Sequence, residues 1–344
     1  MADAKNDDRD RSFGNAFTLR PRSMEGRRLG IFCNSRLRTF SWVVHTAMVM
    51  TANDILSHPA LESCIRGQAQ ALLSIQEASP RTSSPFATQQ RWLMSQAMLA
   101  AYFRNEAQQA DAGILPARLV DAIEAHALAS RNTASAFVNE MLKYGVVRYV
   151  TGSEGRRYRP IEPSPMALAV LSHWLGAHLT ALDGLDGGNR SVELREQPAL
   201  LGAIQPLIAD GLLTSRAVRE PSGTFSLFTR IDDGGIVMDR LIVGCQQDCS
   251  ALARIPTNVM SVSWLVRGLN LSRSQLARKF AAAEAMGSLG WSGFPGKSAL
   301  WVSAEFWREY HAAQAVKLAI IDAAFEACRP YGVSDQARGM AASA

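Results

Sequence analysis

Ser130-Arg-Asn-Thr-Ala-Ser-Ala-Phe-Val-Asn-Glu-Met-Leu-Lys-Tyr-Gly-Val-Val147 recurs without a gap as Ser272-Arg-Ser-Gln-Leu-Ala-Arg-Lys-Phe-Ala-Ala-Ala-Glu-Ala-Met-Gly-Ser-Leu289. In the first copy Ala134, Phe137, Val138 and Met141 fall at i, i+3, i+4 and i+7, the spacing of one buried stripe on a helix. Ser135, Asn139 and Lys143 occupy the opposite face. Asn132 and Ser274 stand at matching places ahead of the stripe, where a side-chain oxygen can cap a helix. Gly145 and Gly287 stand where such a helix ends in a left-handed residue. A single copy would read as an ordinary surface helix. Its sequel changes that reading. Val146 to Val150 predicts a strand, Thr151 to Gly155 a turn, and Arg156 to Arg159 a return strand stopped by Pro160. After the second copy, Leu289 to Ser292 and Ser298 to Val302 flank Gly293 to Lys297. Helix, glycine, strand, basic hairpin and strand is the order of a winged helix-turn-helix.

The expected fold class is mainly α with small β-hairpin wings: tandem winged helix-turn-helix domains related by a pseudo-twofold and linked by long helices. Further short matches extend the duplication, among them Ser84 to Phe86 with Ser226 to Phe228. The expected organisation is a basic N-terminal arm (1–38), a first winged-helix unit (39–165), a second with a long closing helix (166–330) and a disordered tail (331–344). Helices are expected over Thr39 to Leu56, Leu61 to Ile75, Gln89 to Asn105, Pro116 to Ala125, Met166 to Leu182, Gln197 to Ala209, Ile236 to Ala253, Pro256 to Arg267 and Ser303 to Cys328. Leu212 to Ile231 alternates like a strand pair about Pro221-Ser-Gly223.

The 344 residues are long enough for about two domains, and the net charge of +5 fits a polyanionic partner only weakly. Of 36 basic residues only Lys5, Lys143, Lys279, Lys297 and Lys317 are lysine. Arginine suits bidentate phosphate and guanine contacts, although GC-rich coding produces the same bias. The basic run from Arg20 to Arg28 reads either as a groove-reaching arm or as a solvated tail. Cys33, Cys64, Cys245, Cys249 and Cys328 form no Cys-x-x-Cys pair, and their odd number argues against a disulfide framework. No apolar run approaches membrane-spanning length. A reduced, cytoplasmic, bacterial protein is expected. The six histidines form no helical metal pair, and no phosphate-binding glycine loop or nucleophile elbow occurs. Neither enzyme activity, metal nor cofactor is therefore expected. Trp174, Trp264 and Trp307 read as core residues first and as lining of an effector pocket second.

The two Ser-Arg-x-x helices, Glu154-Gly-Arg-Arg157 in the first hairpin, and the long helices begun at Pro163 and Ser303 resemble the MarR superfamily of winged-helix transcription regulators. The likeness spans Ser130 to Arg159 and Ser272 to Val302. It implies a recognition helix in the major groove, a wing arginine in the minor groove, and long helices that build a dimer. It also leaves room for a small-molecule effector and a homodimer. Three features depart from that pattern: the unit is doubled, neither wing holds a clean Asp-x-Arg, and Lys279 replaces the apolar Phe137.

Double-stranded DNA is the expected partner. Arg131, Asn132, Thr133, Ser135 and Asn139, with Arg273, Ser274, Gln275 and Arg278, are the candidate base-reading residues. Arg148, Arg156, Arg157 and Arg159, with Lys297 in the second wing, are candidates for phosphates or the minor groove. The arginine-rich first copy is expected to make the stronger contact. Two other readings fit the same residues: a plasmid-type replication initiator, and a winged-helix protein–protein module without DNA contact.

Overall fold

The structure, a computed structural model, describes residues 49–78, 88–108, 113–155, 157–246 and 252–329. The N-terminal arm, Ser84 to Phe86, Arg156, Cys33, Cys249 and the tail 331–344 lie outside the described residues.

The recurring stretch forms two helices of matching extent, α5 (Arg131–Lys143) and α13 (Arg273–Ala285). Ser130 and Ser272 cap them, each hydroxyl accepting from a backbone N–H three residues on. Asn132 and Ser274 therefore do not cap. They sit one residue inside the first turn, because Ser130 and Ser272 are the residues left in extended backbone. The buried stripe of α5 is Ala134, Phe137, Val138 and Met141; that of α13 is Leu276, Phe280 and Ala283. Gly145 and Gly287 have φ of +68° and +71°. At the next residue, Val146 N–H returns to the Met141 carbonyl and Ser288 N–H to the Ala283 carbonyl. Left-handed glycine followed by this return bond is a Schellman ending.

Each helix sits in a small frame of elements, and the two frames follow a similar order. The first has α3 (Gln89–Ala107), Ile114, α4 (Pro116–Ala125), α5, β1 (Val147–Tyr149) and β2 (Ile161–Pro163). β2 pairs antiparallel with β1, and Ile161 exchanges both backbone bonds with Ile114 at 2.8 Å. The second has α11 (Gly234–Gly244), β3 (Arg254–Pro256), α12 (Val262–Leu265), α13, β4 (Leu289–Trp291) and β5 (Leu300–Ser303), with β5 between β3 and β4. In both frames the last strand is the middle one. Each frame leads into a long helix: α6 (Pro165–Asp186) capped by Ser164, and α14 (Ala304–Cys328) capped by Ser303.

The remaining helices are α1 (Ala52–Leu56), α2 (Leu61–Ala78), α7 (Arg190–Glu196), α8 (Leu200–Thr214), α9 (Arg216–Arg219) and α10 (Gly223–Thr229). The described part is mainly helical with two small antiparallel sheets. α3 packs along α8, α2 along α6 and α11, and α14 along α1 and α8. Buried apolar side chains from both sides of residue 165 join in one cluster. Arg190 is buried at the join of α6, α7 and α14, within 3.5 Å of Asp183, Asp186, Asp322 and Glu326.

Several sequence expectations are corrected. The return strand of the first hairpin is Ile161–Pro163, not 156–159: Val150 N–H reaches the Pro160 carbonyl, and buried Ile161 anchors the register opposite Tyr149. Leu212 to Ile231 holds the end of α8, then α9 and α10 rather than a hairpin. Ser215 caps a new turn, and Phe225 and Phe228 share one helical face toward Tyr310, Phe280 and Phe306. The helix expected from Ile236 to Ala253 stops at Gly244, and β3 follows. Pro256 closes β3 opposite Trp301, so the helix expected from it shrinks to α12 behind the Ser261 cap. The helix expected from Thr39 has its described part begin at Ala52, because Thr51 is extended and caps it. α7 is an addition the sequence did not signal.

Candidate nucleic-acid interface

In the first frame the turn between α4 and α5 presents Arg131, Asn132 and Thr133 to solvent; Asn139 is exposed and Ser135 half-buried. The arginine is engaged by two acids while its side chain stays more than half exposed. Its Nη1 lies 3.0 Å from Asp121 Oδ1 and 2.7 Å from Glu124 Oε2, both on α4. Thr133 Oγ1 is 3.0 Å from the capping hydroxyl of Ser130. Asn132 and Asn139 remain as exposed amides, each able to donate and accept. In the hairpin, Arg148 pairs across the ladder with Glu162 at 2.9 Å. The Arg159 guanidinium lies 4.0 Å from the centre of the Tyr149 ring, and Arg157 lies 5.3 Å from that of Tyr158. Stacking of this kind fixes a guanidinium plane without removing its charge.

The second frame has a different electrostatic character. Among the described residues Arg273 reaches only the Ser263 hydroxyl, at 3.5 Å. Ser274 Oγ is 3.1 Å from the Ser272 hydroxyl, and Gln275 Oε1 accepts from Ser272 N–H at 3.0 Å, closing a capping box. The amide nitrogen of Gln275 stays available. Arg278 and Lys297 are exposed and form no ion pair with a described residue. From Asn258 to Ser303 the basic residues are Arg267, Arg273, Arg278, Lys279 and Lys297 against Glu284 alone, five minus one. From Pro116 to Pro163 seven basic residues (Arg118, Arg131, Lys143, Arg148, Arg156, Arg157 and Arg159) meet Asp121, Glu124, Glu140, Glu154 and Glu162, seven minus five. The copy with fewer arginines carries the larger net positive charge.

Two features escaped the sequence reading. Asp121 and Glu124 quench Arg131; their spacing on one helix face was visible, but not that this face meets the start of α5. Phe294, at the tip of the second hairpin, is 80% exposed beside Lys297. The Gly293-Phe-Pro-Gly296 run was its only signal. Of the three tryptophans named above, Trp174 lies tilted against His178 and neighbours Trp92, Trp307 stacks on His311 at 3.7 Å, and Trp264 is exposed under Arg240.

Among the described residues no group of three His, Cys, Asp or Glu side chains is placed to hold a metal ion. No helix among them is long and apolar enough to cross a membrane. Cys245 is buried at the end of α11, its thiol 3.3 Å from the Leu241 carbonyl. No protein-family model, curated protein or solved structure matches the chain.

Proposed function

We propose that the chain is a sequence-specific double-stranded DNA-binding transcriptional regulator of MarR-like, tandem winged-helix type, working without catalysis. The observation that carries this reading is the repeated frame: a capped helix with an exposed polar first turn, a left-handed glycine, and a three-segment sheet whose last strand lies in the middle. A helix of this size fits the major groove, where its first turn meets base edges.

The ion pairs favour α13 over α5 as the tighter contact. Arg273, Gln275 and Arg278 would read or neutralise from α13, with Lys297 on the flanking backbone. Asn132 and Asn139 would read from α5, with Arg157 and Arg159 held by their tyrosines. The paired state of Arg131 and Arg148 supports a second reading for the first frame alone, a protein-docking module with no DNA contact.

A salt titration of duplex binding separates these. Each phosphate neutralised adds about 0.9 to the slope of log K against log salt. Arg278→Ala with Lys297→Ala is expected to weaken binding at least tenfold and flatten the slope by about two. Arg131→Ala is expected to change affinity less than threefold. Equal losses from both would refute the assignment to α13.

A further inference from the structure

A cavity of about 350 Å³ is walled by residues of α2, α3, α6, α10, α11 and α14, with further lining from α4, α5, α9, β1 and β2. Its lining is chiefly apolar and aromatic, with Trp92, Met98, Tyr102, Leu171, Trp174 and Phe225 around it. A dry cavity of ~150 Å³ already accepts benzene, and small-molecule pockets start near ~300 Å³. The space therefore suits a molecule of about two fused or linked rings.

Four charged groups border the cavity: Glu162, which pairs with Arg148; Asp233, which accepts from Asn270 N–H; Asp239; and Lys317. Asp239 is buried, and its Oδ1 accepts from the Tyr310 hydroxyl at 2.5 Å. Lys317 borders the cavity with its Nζ 5.9 Å from the Trp92 ring centre, and it makes no hydrogen bond or ion pair with a described residue. Burial presses the lysine down to about 8, against the pull of Asp239, and pushes Asp239 up to about 6. A cation in such a wall costs stability unless an anion meets it. Leucine or methionine would fill the position better if packing were its only purpose. The ammonium, in no ion pair with a described residue and set beside an indole face and a largely apolar cavity, is the arrangement of a ligand site with one cationic anchor.

We propose that this cavity binds a small ring-bearing organic monoanion of the carboxylate or sulfonate class, its anionic head on Lys317 and its ring body against Trp92 and Trp174. The proposal is tested separately from the DNA reading, since Lys317, Trp92 and Trp174 belong to neither α5, α13 nor a hairpin; Met141 of α5 and Ile161 to Pro163 of β2 also border the cavity.

The test titrates the full chain with two probes of the same ring body. One is the anion 8-anilinonaphthalene-1-sulfonate, the other neutral N-phenyl-1-naphthylamine; probe emission and quenching of tryptophan emission are both read. Saturable binding at one site is expected for both, tighter for the anion. Lys317→Met is expected to weaken the anion at least tenfold and the neutral probe less than twofold. Val170→Trp, which fills the cavity, is expected to abolish both. Thermal melts check the fold, and Lys317→Gln repeats the charge test if the methionine variant fails to fold. Equal affinity of the anion for wild type and the lysine variants, undiminished binding by Val170→Trp, or no saturable binding by wild type would each overturn the proposal.

Discussion

His311 shows how one residue reports its surroundings. Its ring stacks on Trp307 at 3.7 Å, and Nδ1 donates to the Trp307 carbonyl at 2.8 Å, since a carbonyl can only accept. Nε2 is buried without a hydrogen-bond partner among the described residues. Burial chiefly, with Arg66 nearby, pulls the imidazole down to about 4. A histidine depressed on folding adds stability in full above its unfolded value, and that stability is lost as pH falls from about 6.5 toward about 4. Between pH 7.5 and 4.5, wild type is expected to lose about 2–3 kcal/mol more than His311→Phe, as read by urea unfolding at both pH values. Asp239 moves the other way in this range, but it is common to both proteins and cancels. Arg190 is the opposite case, a buried cation well matched by acids, which hold its guanidinium above its ordinary range despite burial. Arg190→Ala strands Asp322 and Glu326 and is expected to cost about 3–5 kcal/mol. A loss under 1 kcal/mol in chemical unfolding would show that the network is not buried as described.

At the scale of an element, α5 and α13 end identically, so they invite a matched pair of variants. A Cβ at Gly145 or Gly287 meets nothing within 4 Å, so Ala at either costs only the left-handed backbone. About 1 kcal/mol is expected from each by equilibrium unfolding, and less for Asn. These endings were legible in the sequence because they are local: a glycine after the stripe fixes them. The caps were missed by two residues because Ser and Asn both cap well, and the choice depends on where the backbone turns extended. The hairpin wrongly expected over Leu212 to Ile231 failed for a less local reason. Phe225 and Phe228 are neighbours on a helix only because Tyr310, Phe280 and Phe306 receive them. Likewise the arginine content of the first wing was readable, but its neutralisation by Glu162, and that of Arg131 by α4, depends on pairing across elements.

For the whole molecule, the two frames share one buried cluster, with α2, α6, α8, α11 and α14 crossing between their sequences. A chain built this way presents two candidate reading helices without a second copy, whereas ordinary winged-helix dimers read one half-site with each protomer. The apolar cavity lies within the same unit, bordered by Leu119 of α4 and Met141 of α5. The central claim is that both frames read DNA, α13 more tightly. Selection of random duplex DNA on the purified full chain tests it most directly. The account predicts an enriched sequence with two unlike half-sites, the more stringent one lost with Arg273→Ala and Arg278→Ala and the weaker one with Asn132→Ala and Asn139→Ala. Enrichment of no sequence at moderate salt would contradict it, as would a single half-site indifferent to changes in α13.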